Sequence, residues 1–204
     1  TFFLQEILMA THEKPPFLAV YYTLAILTLI LCFYVIWSYV RHPTHRKAPA
    51  GLMLSKTISD LLFSFLFFIM LLAVNLGDAD DKLVRTCGYY GGVFVMLFLS
   101  AQFYFMAICW DLYRTLRNPF RRPAADSIKI HIVIWTVGII VMSIVMKLEV
   151  FRYREIYGIC FTCYADILNI PNLVFWYIPL AASNIAGVLV TVYAFRRLQS
   201  GLEK

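Results

Sequence analysis

The apolar positions of this chain run on continuously, where a soluble protein would alternate them or confine them to one helical face. Five such stretches, about 17–40, 52–74, 88–110, 130–146 and 173–195, are separated by polar segments that hold most of the charge. A helix needs roughly 20 mostly apolar residues to cross a bilayer, where every backbone polar group must bond within its own segment. The pattern therefore predicts an all-α fold, a polytopic membrane bundle of five transmembrane helices making one transmembrane domain over 1–204. Connections are short except for 147–172, which is long enough for a lid or a docking surface.

Composition fixes the solvent. With 61% hydrophobic, 17% aromatic and only 15% charged residues in 204, the chain is too apolar for a water-soluble domain. The first stretch is too long and too late for a secretory signal. The chain opens on Thr1 without an initiator Met, so a preceding segment is expected.

Charge then orients the bundle. Arg41, Arg46, Lys47, Lys56, Arg114, Arg117, Arg121, Arg122, Lys129, Arg196, Arg197 and Lys204 fall on one side, 12 of the 18 basic residues. Lys14, Lys82, Arg85, Lys147, Arg152 and Arg154 make six on the other. Basic residues favour the cytoplasmic side, which predicts an N-terminus outside and a C-terminus inside. The net charge of +6 is thus gathered at helix ends, where topology and lipid headgroups account for it, and no nucleic-acid partner is expected.

Polar residues within the spans are the candidates for chemistry. Asp60, in "LSKTISDLLFSFLFF", has to face protein or water, because an acid within a span is costly. Two readings stand: an ion site or switch at the bundle centre, or a local pair with Lys56 at i, i+4 spacing. Asp111 and Arg114, in "CWDLYRTLRNPFRRP", lie one turn apart and can share a face. That proximity suits a releasable ion lock, although spacing alone favours plain anchoring of the helix end. Pro179 removes a backbone donor and predicts a kink in the fifth helix.

Cysteines and histidines add geometry rather than catalysis. Cys32 and Cys109 lie in apolar runs and read as packing residues, whereas Cys87, Cys160 and Cys163 share the outer face. A bridge from Cys87 to one of the other two would pin the long loop over the bundle, on the oxidising side. One C-x-x-C, "CFTC", with His12, His42, His45 and His131 scattered, is too little for a metal site, and no cofactor is expected. Tyr21, Tyr22, Trp37, Tyr39, Tyr89, Tyr90, Trp110, Tyr113, Trp176 and Tyr177 mostly read as interface belts.

Taken in order, "KAPAGLMLSKTISDLLFSFL", "TCGYYGGVFVMLFLSAQFYFMAICWDLYRTLRNPF", "GICFTC" and "FWYIPLAASNIAGVLVTVYAFRRL" resemble the second, third and fifth helices of cyclic-AMP-receptor-like G-protein-coupled receptors of protists. The resemblance implies a receptor-like arrangement with Asp60 as the second-helix acid. It implies a bridge from Cys87 to the second outer loop, with Cys160 the first choice and Cys163 the second. It puts Asp111, Tyr113, Arg114, Arg117, Arg121 and Arg122 at a partner-facing inner end, against a heterotrimeric G protein. The family has seven helices and this chain shows five, and its acid and arginine are spaced differently from the adjacent pair of better-known receptors.

Two functions follow as expectations. The first is a receptor-like integral membrane protein, at the plasma membrane, that senses a ligand outside and couples to a G protein inside. The alternative is a structural or accessory subunit without catalytic activity, contacting neighbouring subunits and lipid, with an organellar inner membrane among its locations. An enzyme is not expected, since no paired carboxylates or nucleophile with a base lie in the spans. A transporter is disfavoured by the lack of an inverted repeat. Two further spans after Lys204 would favour the receptor, and a stop codon there the subunit.

Overall fold

The computed structural model describes residues 17–42, 50–75, 80–117, 127–148, 151–154, 159–162, 170 and 173–202. These form five long helices: α1 (Phe17–Arg41), α2 (Ala50–Asn75), α3 (Asp80–Arg117), α4 (Ser127–Lys147) and α5 (Ile178–Leu202), the last preceded by a π-helical turn, Leu173–Tyr177. All five include a stretch long and apolar enough to cross a membrane, and the chain is an integral membrane helix bundle.

Helix α3 is the axis of the bundle. About 44% of its span is buried, against 6–17% for the other four, because α2, α4 and α5 all pack on it. Helix α1 packs on α2, where the Tyr22 hydroxyl donates to the Leu71 carbonyl at 2.7 Å. The large apolar side chains left exposed on α1, α4 and α5 would drive aggregation in water, but in lipid they cost nothing. Close helix approach comes instead from small residues. Gly92 on α3 faces Met146, so that a Cβ there would stand 2.7 Å from Met146 Cγ. Gly138 on α4 faces Ser100, where the corresponding distance to Oγ is 3.2 Å.

The helix ends differ from the hydropathy reading in an instructive way. Helix α3 runs for 38 residues, about 57 Å, well beyond the apolar stretch at 88–110. Its extra turns are "DDKLVRT" and "DLYRTLR", polar sequences that suit a helix outside the hydrocarbon. Arg114 and Arg117 close this helix, as its dipole favours. The 147–172 connection holds an antiparallel hairpin, β1 (Phe151–Arg154) and β2 (Ile159–Thr162), that packs against α3 and α2. Its register sets Tyr153 opposite Cys160. "FRYR" and "ICFT" are rich in residues that suit strands.

Pro179 is the second residue of α5, directly after the π turn. Its ring excludes the carbonyl four residues back, at Phe175, from an α-helical bond, and the chain there takes the wider turn. The irregularity beside Pro179 is a π turn at the entrance of α5.

Candidate functional site: the seam between α3 and α5

Helices α3 and α5 run side by side in the same direction, and their contacts form a seam that spans the bundle. At the hairpin end, Trp176 of the π turn lies against Phe98 and Phe94, with ring centroids 4.6 and 5.6 Å apart. Phe94 in turn stacks on Phe63 of α2 at 4.2 Å and lies 5.9 Å from Phe67. Each such pair adds about 0.5–1.5 kcal/mol beyond area burial. Within this aromatic cluster the indole N–H of Trp176 is buried and finds no acceptor among the described residues. An unmatched donor of this kind costs about 1–3 kcal/mol. Nearby, Cys87 is buried and disulfide-bonded, while Cys32 and Cys109 are free thiols.

Midway along the seam the contacts become polar and small. The Ser183 hydroxyl donates to Gln102 Oε1 at 2.6 Å and also faces the Leu180 carbonyl at 2.9 Å. One turn further on, Gly187 gives space to the Phe105 ring, whose Cζ would lie 3.2 Å from a Cβ there. At the opposite, basic end, the rings of Tyr113 and Tyr193 close the seam at 5.0 Å. Tyr113 also stacks on Trp110 at 5.7 Å. Arg114 lays its guanidinium over the Trp110 indole, 5.3 Å from the centroid, a cation–π contact.

The residues singled out in the sequence are thus distributed rather than gathered. Asp111, Tyr113 and Arg114 all lie at the basic end of α3, where Asp111 is half-buried and Arg117 is exposed. The contact described for Arg114 is with the Trp110 ring. Asp60 belongs to α2, where it pairs with Lys56 at 2.5 Å, each side chain about 31% exposed. Of the two readings of Asp60, the local pair is the one observed. Arg121, Arg122 and Cys163 lie outside the described residues, and only the backbone of Cys160 is described.

A polar contact of the core escaped the sequence reading. Tyr104, fully buried on α3, places its hydroxyl 2.9 Å from Nδ1 of His131 on α4. Ser55 and Trp135 adjoin the same hydroxyl, so side chains from α2, α3 and α4 converge there. An ionisable residue in an apolar helix is a warning of such a contact, and His131 carried that signal. No three His, Cys, Asp or Glu side chains converge as a metal site among the described residues.

At the basic end, α4 and α5 both lean on α3 and leave a groove of about 670 Å³ lined by Ala107, Trp110, Tyr113, Ile130, Ala186 and Tyr193, among others. A smaller groove of about 370 Å³, on the α3–α4 side, shares Ala107 and Ile130 with it and includes Lys129. No protein-family model matches the chain, and no curated protein matches it in sequence.

Proposed function

We propose that this chain is the greater part of a receptor-like membrane protein, which senses a ligand at the hairpin end and reports it at the basic end through α3 and α5. The observation that carries the reading is the continuous seam from Trp176 through Ser183–Gln102 to Tyr193–Tyr113. In this reading the hairpin end faces outward and the basic end faces the cytoplasm, as the distribution of lysine and arginine favours. A ligand acceptor engaging the Trp176 N–H would shift the π turn, and α5 would carry the shift to Tyr193, Tyr113 and Arg114. A heterotrimeric G protein is the partner at that end, contacting Asp111, Arg114 and Arg117.

The resemblance to cyclic-AMP-receptor-like receptors supports the same assignment, with Cys87 bridging to Cys160 or Cys163. Support for the bridge comes from the disulfide state of Cys87 and from the free state of Cys32 and Cys109. The hairpin carrying Cys160 also packs on α3. The reading requires two further spans encoded after Lys204, and the plasma membrane as its location.

The competing reading, a non-catalytic subunit, draws on the slight burial of α5, about 6%, and α1, about 11%, which leaves broad faces for neighbouring subunits. A G-protein activation assay on the full-length protein and on Arg114→Ala, run beside a native-size gel, separates the two. Activation that falls with Arg114→Ala, in a protein still inserted in the membrane, supports the receptor. No activation under any condition, with the chain migrating in a large stable complex, overturns it in favour of the subunit.

A further inference from the structure

The groove between α4 and α5 calls for an occupant of its own. Its wall is apolar and aromatic along most of its length, and its polar boundary is at the basic end. Three helices bring cations to that boundary. Arg114 of α3 rests on Trp110, which is itself a groove wall. Lys129 of α4 lines the adjoining smaller groove, which shares Ala107 and Ile130 with this one. Arg196 and Arg197 of α5 follow Tyr193 by three and four residues, one turn beyond another wall residue and on its face. Against these, Asp111 is the carboxylate that α3, α4 and α5 contribute there among the described side chains.

The groove's volume of about 670 Å³ lies within the range of about 300–1,000 Å³ of small-ligand sites. A narrow apolar slot with cations at one mouth and tyrosine and tryptophan at the same level fits a single acyl chain with its phosphate at the mouth. Any membrane protein touches lipid, but a cationic mouth assembled from three helices selects for headgroup charge.

The geometry points to a bound anionic phospholipid. One acyl chain lies along α3 between α4 and α5, and the headgroup phosphate accepts from Arg114 with Lys129 and Arg196–Arg197 around it. The inference does not depend on signalling, and its test contains no G protein.

Native mass spectrometry of the purified full chain is the test, with phosphatidylglycerol and phosphatidylcholine of identical acyl chains supplied in equal amounts. The chain should retain phosphatidylglycerol in clear excess. Arg114→Gln should lower that preference on the order of fivefold, the effect of one basic residue at a membrane surface, and Arg114→Lys should keep most of it. Ala186→Phe, which fills the slot, should reduce retention of both lipids, with helicity by circular dichroism unchanged. Should Ala186→Phe fail to fold, the two Arg114 variants, which alter a side chain at the helix end, decide the matter. Equal retention of the two lipids would overturn the proposal. So would a preference that survives Arg114→Gln, Lys129→Gln and the paired Arg196→Gln and Arg197→Gln changes, or a second copy of the chain displacing lipid from the groove.

Discussion

Ser183 of α5 donates a hydrogen bond to Gln102 of α3 across 2.6 Å, with the serine side chain all but sealed from the surface. Both residues stand in otherwise apolar helices, and each relieves the other of a polar group that lipid would not solvate. The contact also fixes the register of the two helices, because neither partner has an equivalent polar residue one turn away on the same face.

Once one partner is gone, removing the other should therefore cost less than it does alone. Hydrogen bonds between membrane helices average about 0.6 kcal/mol and reach about 1.7. Ser183→Ala and Gln102→Leu should each destabilise the bundle by roughly 1 kcal/mol, and the double variant by less than their sum. A double-mutant cycle on unfolding in mixed detergent measures the coupling. Strict additivity would show that the contact holds nothing.

The Lys56–Asp60 pair makes a sharper case, since it concerns charge. Lys56→Met leaves the Asp60 carboxylate without its cation on a helix that enters the membrane. The cost is bounded by the roughly 2.5–3.5 kcal/mol of an acid at the bilayer centre. It should fall below that, because both side chains are still about 31% exposed. Lys56→Met should lower membrane yield and thermal stability, and adding Asp60→Asn should recover most of the loss. A double variant as poor as the single one would mean that Asp60 serves more than its neighbour.

Packing of α4 on α3 rests on Gly138. A side chain there would meet Met96 Cγ at 3.1 Å and Ser100 Oγ at 3.2 Å. Gly138→Ala asks the neighbours to yield by a few tenths of an ångström, whereas Gly138→Leu forces the helices apart. The leucine variant should lose about 1–3 kcal/mol, the usual range for overpacking. Because Tyr104 and His131 bridge the same two helices, that bond should loosen with it, visible as a shifted imidazole resonance of His131.

How much of this was legible beforehand divides along physical lines. The five spans were, since a run of apolar residues reports its solvent whatever it packs against. The Lys56–Asp60 pair was also in view as one of two readings, because an i, i+4 contact is a property of one helix. Tyr104 and His131 lie 27 residues apart and meet only because α3 and α4 pack in one register, which no local pattern encodes. The same holds for Ser183 and Gln102, 81 residues apart. The hairpin was missed because four-residue strands leave too brief a period-2 signal beside 25-residue helices. The length of α3 was underestimated because hydropathy finds the hydrocarbon boundary, not the end of the helix.

Gly187 offers the most direct test of whether the seam transmits. It lies between Ser183 and Tyr193 on α5, with the edge of Phe105 filling the space of its missing side chain, Cζ and Cε1 standing 3.2 and 3.3 Å from a Cβ there. Gly187→Leu should wedge α5 from α3 at this level, while the Trp176 cluster holds the helix at its start. A rigid helix held at one end and pushed near its middle moves most at the far end. The Tyr113–Tyr193 contact should accordingly open by about 1–2 Å, the scale of functional helix shifts. Spin labels on exposed Thr115 and Thr191 would read the separation by pulsed electron resonance. Gly187→Ala, which Phe105 can accommodate by a small rotation, should leave it nearly unchanged. If the seam carries the signal, Gly187→Leu should keep ligand binding at the hairpin end and abolish the response at Arg114. An unchanged label distance in the leucine variant would mean that α5 bends locally, and that the two ends of the bundle are not mechanically joined through it.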